Sequence, residues 1–212
     1  MNETPDGSQQ PEPAQDPQEL RLDARTLRGL AHPLRVRILG MLRRDGAATA
    51  TGLAEKLGQS SAATSYHLRQ LAEYGFIVEV EELGQGRERY WKSASRSTTL
   101  DVGAYVTDPE LAANTETYLR AVTRMSADLV QSHLDEKVAL PGHWQSAGTF
   151  NDIRLRLTPD QADELAERMW ALVNEYPRAD ELAPPVDDTD PGEALRPVDV
   201  QLNVFPVPGD AR

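Results

Sequence analysis

The sequence predicts an α+β protein: an N-terminal helical domain closed by a β-hairpin, a long helix in the middle, and a small C-terminal β-α-β region. Three observations carry this. Apolar residues recur at spacings of three and four from Leu27 to Leu71. The pattern then changes to strand-like alternation as far as Lys92. After Pro109 a second, longer helical run leads into two alternating apolar segments that flank one more helical stretch.

Each element has a local justification. Met1 to Gln18 holds Pro5, Pro11, Pro13 and Pro17 among acids and Gln, too little apolar surface to offset the entropy of ordering, so residues 1–20 are expected as a disordered acidic tail. Leu27 and Leu30 mark a first helix. Pro33 opens a second, since its missing N–H has no intrahelical partner in a first turn, and Leu34, Ile38, Leu39 and Leu42 give its apolar face up to Asp45-Gly46. Thr49 or Thr51 caps a third helix carrying Leu53, Ala54 and Leu57, with Gly58 as a left-handed exit. Ser60 caps a fourth over 61–74, with Leu68, Leu71 and Ala72 inward. Only Gly58-Gln59-Ser60 separates the third and fourth helices, so they cross steeply as a helix-turn-helix.

Phe76 to Leu83 and Arg89 to Lys92 read as two strands joined by a turn at Gly84-Gln85-Gly86, a hairpin with a basic tip. Such a pair is marginal alone and must lean on the helices, with Trp91 as the expected contact. Asp108-Pro109 starts a helix of about 29 residues, spanning about 43 Å. Its Tyr118, Val122, Met125 and Leu129 form a stripe longer than a small domain covers, so residues 100–140 are expected as a dimerisation helix; the alternative is cover by the C-terminal segment of the same chain. In 141–212, Ile153, Leu155 and Leu157 alternate with Arg154 and Arg156, Thr158-Pro159 caps a helix carrying Leu165, Met169, Leu172 and Tyr176, and Val198, Val200, Leu202 and Val204 alternate with Asp199, Gln201 and Asn203. The acidic, proline-rich stretch 178–197 between them is expected as a mobile loop.

Composition narrows the function. The 212 residues contain no cysteine, which excludes thiolate metal sites, disulfides and thiol redox chemistry. The longest apolar stretches are interrupted by charge, as Leu34 to Leu42 is by Arg35 and Arg37, and the acidic start does not resemble a signal peptide; a cytoplasmic protein with no membrane partner is expected. The net charge of -12 divides unevenly: residues 1–20 carry -5, 21–99 carry +5 (13 Lys and Arg against 8 acids) and 100–212 carry -12. Exposed charges more than about 10 Å apart are largely screened, so a basic module can bind a polyanion beside acidic neighbours. No phosphate-cradling Gly loop, HExxH or GxSxG is present, and no enzyme is expected.

The run Leu30-Ala31-His32-Pro33-Leu34-Arg35-Val36-Arg37-Ile38-Leu39, the helix Ser60-Ser61-Ala62-Ala63-Thr64-Ser65-Tyr66-His67-Leu68-Arg69-Gln70-Leu71 and the Gly84-to-Arg89 hairpin together resemble ArsR-type winged helix-turn-helix transcription regulators over residues 21–96. The resemblance implies a homodimeric, sequence-specific binder of double-stranded DNA in which 21–99 is the DNA-binding domain, helix 61–74 enters the major groove and wing 83–89 meets the minor groove, with repression favoured over activation. The residues agree: Ser61, Ala62, Ser65, Tyr66 and Arg69 lie opposite the leucines. His67 is expected to position the helix through a hydrogen bond, with phosphate contact as its second role. Arg87 is placed in the minor groove, and Arg89 and Lys92 on the backbone. Relatives of this type often sense metals; here His133 and Glu136 lie one turn apart without an upstream partner, so no cofactor or metal is expected.

Two other readings compete. In one, Trp144, Phe150, Trp170 and Tyr176 line an apolar pocket for an unidentified small-molecule effector, rather than forming a core. In the other, the β-α-β region docks a protein partner and the N-terminal domain is an adaptor.

Overall fold

The structure is a computed structural model and describes residues 19–84, 88–100, 109–177 and 195–207. The expected tail up to Gln18, the wing tip 85–87 with Arg87, and most of the expected loop, 178–194, lie outside the described residues. The chain divides into two compact units, 1–125 and 126–212, so the first includes the opening half of the long helix as well as the expected domain 21–99.

The first unit begins with strand β1 (Glu19–Arg21), followed by α1 (Ala24–Leu30), α2 (Pro33–Asp45), β2 (Ala48–Thr49), α3 (Ala50–Leu57), α4 (Ser61–Glu73), β3 (Ile77–Glu79), β4 (Tyr90–Ser93) and β5 (Ser97–Thr99). Most helix ends are where the capping residues put them. Asp23 accepts from the Thr26 N–H at 2.7 Å and starts α1. Pro33 occupies the first turn of α2, Thr49 accepts from the Gly52 N–H at 3.2 Å to start α3, and Gly58, with φ of 62°, ends α3 in the left-handed region. Ser60 accepts from the Ala63 N–H at 3.2 Å and starts α4.

The wing is a three-stranded antiparallel sheet in the order β2-β4-β3, pairing Ala48 with Trp91 and Val78 with Lys92. Trp91 packs half-buried against the core, as the hairpin requires. A second sheet corrects the expected boundary of the tail. β1 pairs in parallel with β5, Leu20 opposite Thr98, so Glu19 and Leu20 are ordered strand residues rather than the end of a disordered segment. Their stabilising partner lies far along the sequence, where local composition gives no sign of it.

One hydrophobic core holds the unit together. Leu27, Leu30, Ile38, Leu39, Leu53, Leu68, Leu71, Phe76 and Ile77 are fully or almost fully buried, each worth about 1.5–3 kcal/mol relative to exposure. Helix α5 (Pro109–Glu136) adds Tyr118 and Ala121 to that core, and Tyr118 Oη lies 2.9 Å from Thr98 Oγ1. Met125 is seated on α2, where its Sδ would lie 2.5 Å from a Cβ at Gly40.

The second unit holds the end of α5, a 3-10 turn at Lys137–Ala139, α6 (Gly142–Gln145) and α7 (Pro159–Asn174). The helix of the expected β-α-β region is present, with Thr158 and Gln161 capping it reciprocally. Its two strands are not. Ile153 to Leu157 and Val198 to Val204 have no strand pairing, and their apolar side chains are largely exposed. Alternation gives a segment two faces, but a strand also needs a neighbour for its N–H and C=O groups, and these two segments do not supply it to each other.

Candidate nucleic-acid interface

Helix α4 separates its side chains cleanly. Thr64, His67, Leu68 and Leu71, spaced at three and four, turn into the core, and Thr64 Oγ1 donates to the Ser60 carbonyl at 3.1 Å. Ser61, Ala62, Tyr66 and Arg69 are exposed and Ser65 half-exposed, with Tyr66 53% accessible. The five residues expected to read DNA therefore form one continuous outward face. Short side chains at its N-terminal end permit close approach. Arg69 Nε donates to the Ser65 carbonyl at 3.3 Å, which steadies the stem of an exposed guanidinium. Lysine or arginine on such a face meets phosphates or guanine edges.

His67 does not belong to that face. It is 9% exposed, its ring centroid lies 4.4 Å from that of His32, and its Nδ1 is buried without a hydrogen-bond partner. Nδ1 makes no hydrogen bond that would position the helix, and the ring faces inward. A step of about 100° per residue puts position 67 beside Thr64 and Leu68 on the inner side. His67 positions α4 by packing.

Three groups at and along α2 were not singled out from the sequence. His32 caps α2, its Nδ1 accepting from the Leu34 N–H at 3.1 Å. Arg35 donates from Nη2 to the Arg28 carbonyl at 3.0 Å, while its Nε is buried without a partner. Burial, reinforced by Arg35 and by the neighbouring ring in the case of His67, holds both imidazoles below the ordinary histidine pKa. Arg43 on α2 is largely enclosed: Nε donates to the Ser95 carbonyl at 3.1 Å and Nη2 to Ser95 Oγ at 2.9 Å. Burial lowers its pKa to about 10, which leaves it charged at neutral pH.

The wing departs from a simple basic tip. Arg89 Nη1 is 3.3 Å from Glu79 Oε2 across the hairpin, so the expected backbone contact is already engaged in an exposed ion pair. Glu81, Glu82 and Glu88 are exposed on the described shoulders of the wing, and Lys92 is its exposed cation on β4. Charge on these shoulders opposes close contact with phosphates. The described part of the wing offers Lys92 most freely.

The residues expected at a dimer contact are also distributed differently. Tyr118 is buried in its own chain's core, Val122 packs half-buried against it, and Met125 meets α2; Leu129 lies half-buried in the second unit. The first half of the stripe thus finds cover within the first unit. The expected aromatic cluster does not form either a closed core or a pocket: Phe150, Trp170 and Tyr176 are exposed and Trp144 is half-buried. Among the described residues, no group of three His, Asp or Glu side chains is placed to hold a metal ion, and no helix is long and apolar enough to cross a membrane.

Residues 30–81 match the family model of a helix-turn-helix domain. Comparison with the curated proteins gives no match. Among solved structures, the chain is similar to the homodimeric winged helix-turn-helix DNA-binding domain of Mb0332 from Mycobacterium bovis, a possible ArsR-family regulator, with 20% identity over 62% of this chain and 86% of that one and a TM-score of 0.32. An apo-form mutant of ZitR from Lactococcus lactis gives 18% identity over 68% and 83% with a TM-score of 0.30. The adhesin competence repressor AdcR from Streptococcus pyogenes gives 15% over 67% and 79% with a TM-score of 0.27. Scores this low leave the argument to the chain's own geometry, in which α3, α4 and the β2-β4-β3 sheet are arranged as one module. The first unit of the protein is built around a winged helix-turn-helix domain.

Proposed function

We propose that the protein is a homodimeric, sequence-specific DNA-binding transcriptional regulator of the ArsR type that its sequence resembles, acting as a repressor, with α4 in the major groove. The observation that carries this reading is the outward face of α4: Ser61, Ala62, Ser65, Tyr66 and Arg69 are unoccupied by the fold that orders the helix from within. The local excess of five positive charges over residues 21–99 supports attraction to a polyanion. Arg87 meets the minor groove, Lys92 on β4 serves as a phosphate contact, and Arg89 joins it when DNA displaces Glu79.

In a two-fold dimer the recognition helices meet successive major grooves, about 10 bp apart or a multiple of that. Selection of genomic fragments by the purified protein tests the whole reading at once. A recovered palindrome with that spacing supports it. Enrichment that follows DNA length alone, without a common sequence, contradicts it.

A further inference from the structure

We propose that the C-terminal unit is half of a fold, and that a second copy of this chain completes it by pairing the extended segments 150–157 and 198–205 of one protomer with those of the other. The dimer of the preceding reading is presupposed here, but the interface is a different one from the groove-facing helix.

The unit exposes what a folded domain normally buries. Helix α7 contains no buried residue although Leu165, Met169 and Leu172 share one side of it. Phe150 is 65% exposed, Trp170 38%, Tyr176 68% and Phe205 71%. Rings of this kind each bury about 150–250 Å² when covered, so these four together leave about 500 Å² of side-chain surface in water. Ile153, Leu155, Leu157, Leu195, Val198, Val200, Val204 and Val207 are exposed as well. Together they exceed the roughly 800 Å² per partner that a standard stable interface buries.

The two segments also carry the means of choosing their partner. Between the apolar positions of the first stand Arg154 and Arg156; between those of the second stand Asp199, Gln201 and Asn203. Counted with Asp152, segment 150–157 carries a net charge of +1 and segment 198–205 a net charge of -1, so a two-fold axis brings the more basic segment of each protomer to the more acidic segment of its partner, twice. Within one chain that pairing is not made. Phe150 lies against His133, with ring centroids 5.8 Å apart, and Gln201 Nε2 donates to the Ser126 carbonyl at 3.1 Å. Each segment is thus placed along the end of α5, yet no backbone hydrogen bond joins the two among the described residues. Addition of a strand from the partner satisfies the open backbone and covers the apolar face together.

The full-length chain is examined by sedimentation over a dilution series and by amide hydrogen exchange. The expected result is a dimer in which amides of 150–157 and 198–205 exchange slowly and lose that protection together on dilution to monomer. Leu155→Asp with Val200→Asp should raise the dimer dissociation constant by about tenfold or more. Because that variant can fail by misfolding, a charge exchange provides a second arm: Arg154→Glu with Arg156→Glu weakens the dimer, Asp199→Arg with Gln201→Arg weakens it, and all four together restore it. A monomer whose segments are already protected, protection that arises only with an unrelated protein, or a dimer indifferent to every variant would overturn the proposal. Those outcomes leave the DNA-binding reading standing, which fails separately if Arg69→Ala keeps the sequence preference of the parent.

Discussion

His32 and His67 lie ring against ring at 4.4 Å, one capping the start of α2 and the other filling the inner side of α4. The contact ties the entry of one helix to the placement of the surface that faces outward. It works with neutral rings: a protonated Nδ1 on His32 no longer accepts from Leu34, and a proton on either ring sets positive charge beside Arg35.

Both imidazoles are held below the unfolded value of about 6.5, so the unfolded chain takes up protons first as pH falls. The stabilisation is complete above that value and is lost as pH drops through the depressed native pKa values. Urea midpoints should therefore decline between about pH 7 and pH 5. His67→Gln, which keeps bulk without titrating, should flatten the decline. Parallel profiles for the two proteins would show that the pair does not titrate as described.

Arg43 joins α2 to the chain leaving β4 through its two bonds to Ser95. Arg43→Met removes both donors; the Ser95 carbonyl keeps its bond from Ser93 Oγ at 2.6 Å, but the half-buried Ser95 hydroxyl loses its partner, at a cost of about 1–3 kcal/mol. Arg43→Lys should recover little of this, because one ammonium cannot reproduce a forked pair of bonds. Chemical denaturation of the three proteins measures both statements.

Ser60 satisfies the Ala63 N–H at the start of α4. Ser60→Ala should lower stability by about 1 kcal/mol, and Ser60→Asp should retain it. Comparison of thermal midpoints at fixed pH decides the matter; equal midpoints for Ser60→Ala and the parent would remove the cap from the account.

Gly29 allows α1 to approach the exit of α4. A Cβ there would stand 2.6 Å from Tyr74 Cγ and 2.8 Å from a Phe76 ring carbon. Gly29→Ala should therefore destabilise by about 1–3 kcal/mol despite its better helix propensity. A more stable Gly29→Ala protein would mean that the two aromatic residues yield freely.

The N-terminal helices were legible because their information is local. Pro33, Thr49, Gly58 and Ser60 punctuate a leucine pattern that needs no distant partner to be understood. The outward face of α4 follows from the same periodicity, and so does the inward position of His67 once chemistry is set aside and angle alone is counted. Arg43 was illegible because its acceptor at Ser95 lies 52 residues away. The pairing of Leu20 with Thr98 and the burial of Tyr118 depend on tertiary contacts of the same kind. In the C-terminal unit, alternation at 153–157 and 198–204 correctly marks two-faced segments but carries no sign of what they pair with. The acids at 79, 81, 82 and 88 stand in the sequence beside the arginines of the wing, and charge of both signs decides what a wing can approach.

The most direct measurement of the central claim is equilibrium binding of the parent and Arg69→Ala to a selected duplex and to a shuffled one, at two salt concentrations. The account predicts that Arg69→Ala loses about 1–3 kcal/mol on the selected duplex, about five- to a hundred-fold in affinity, while its binding to the shuffled duplex changes far less. Equal affinity of both proteins for both duplexes would contradict it.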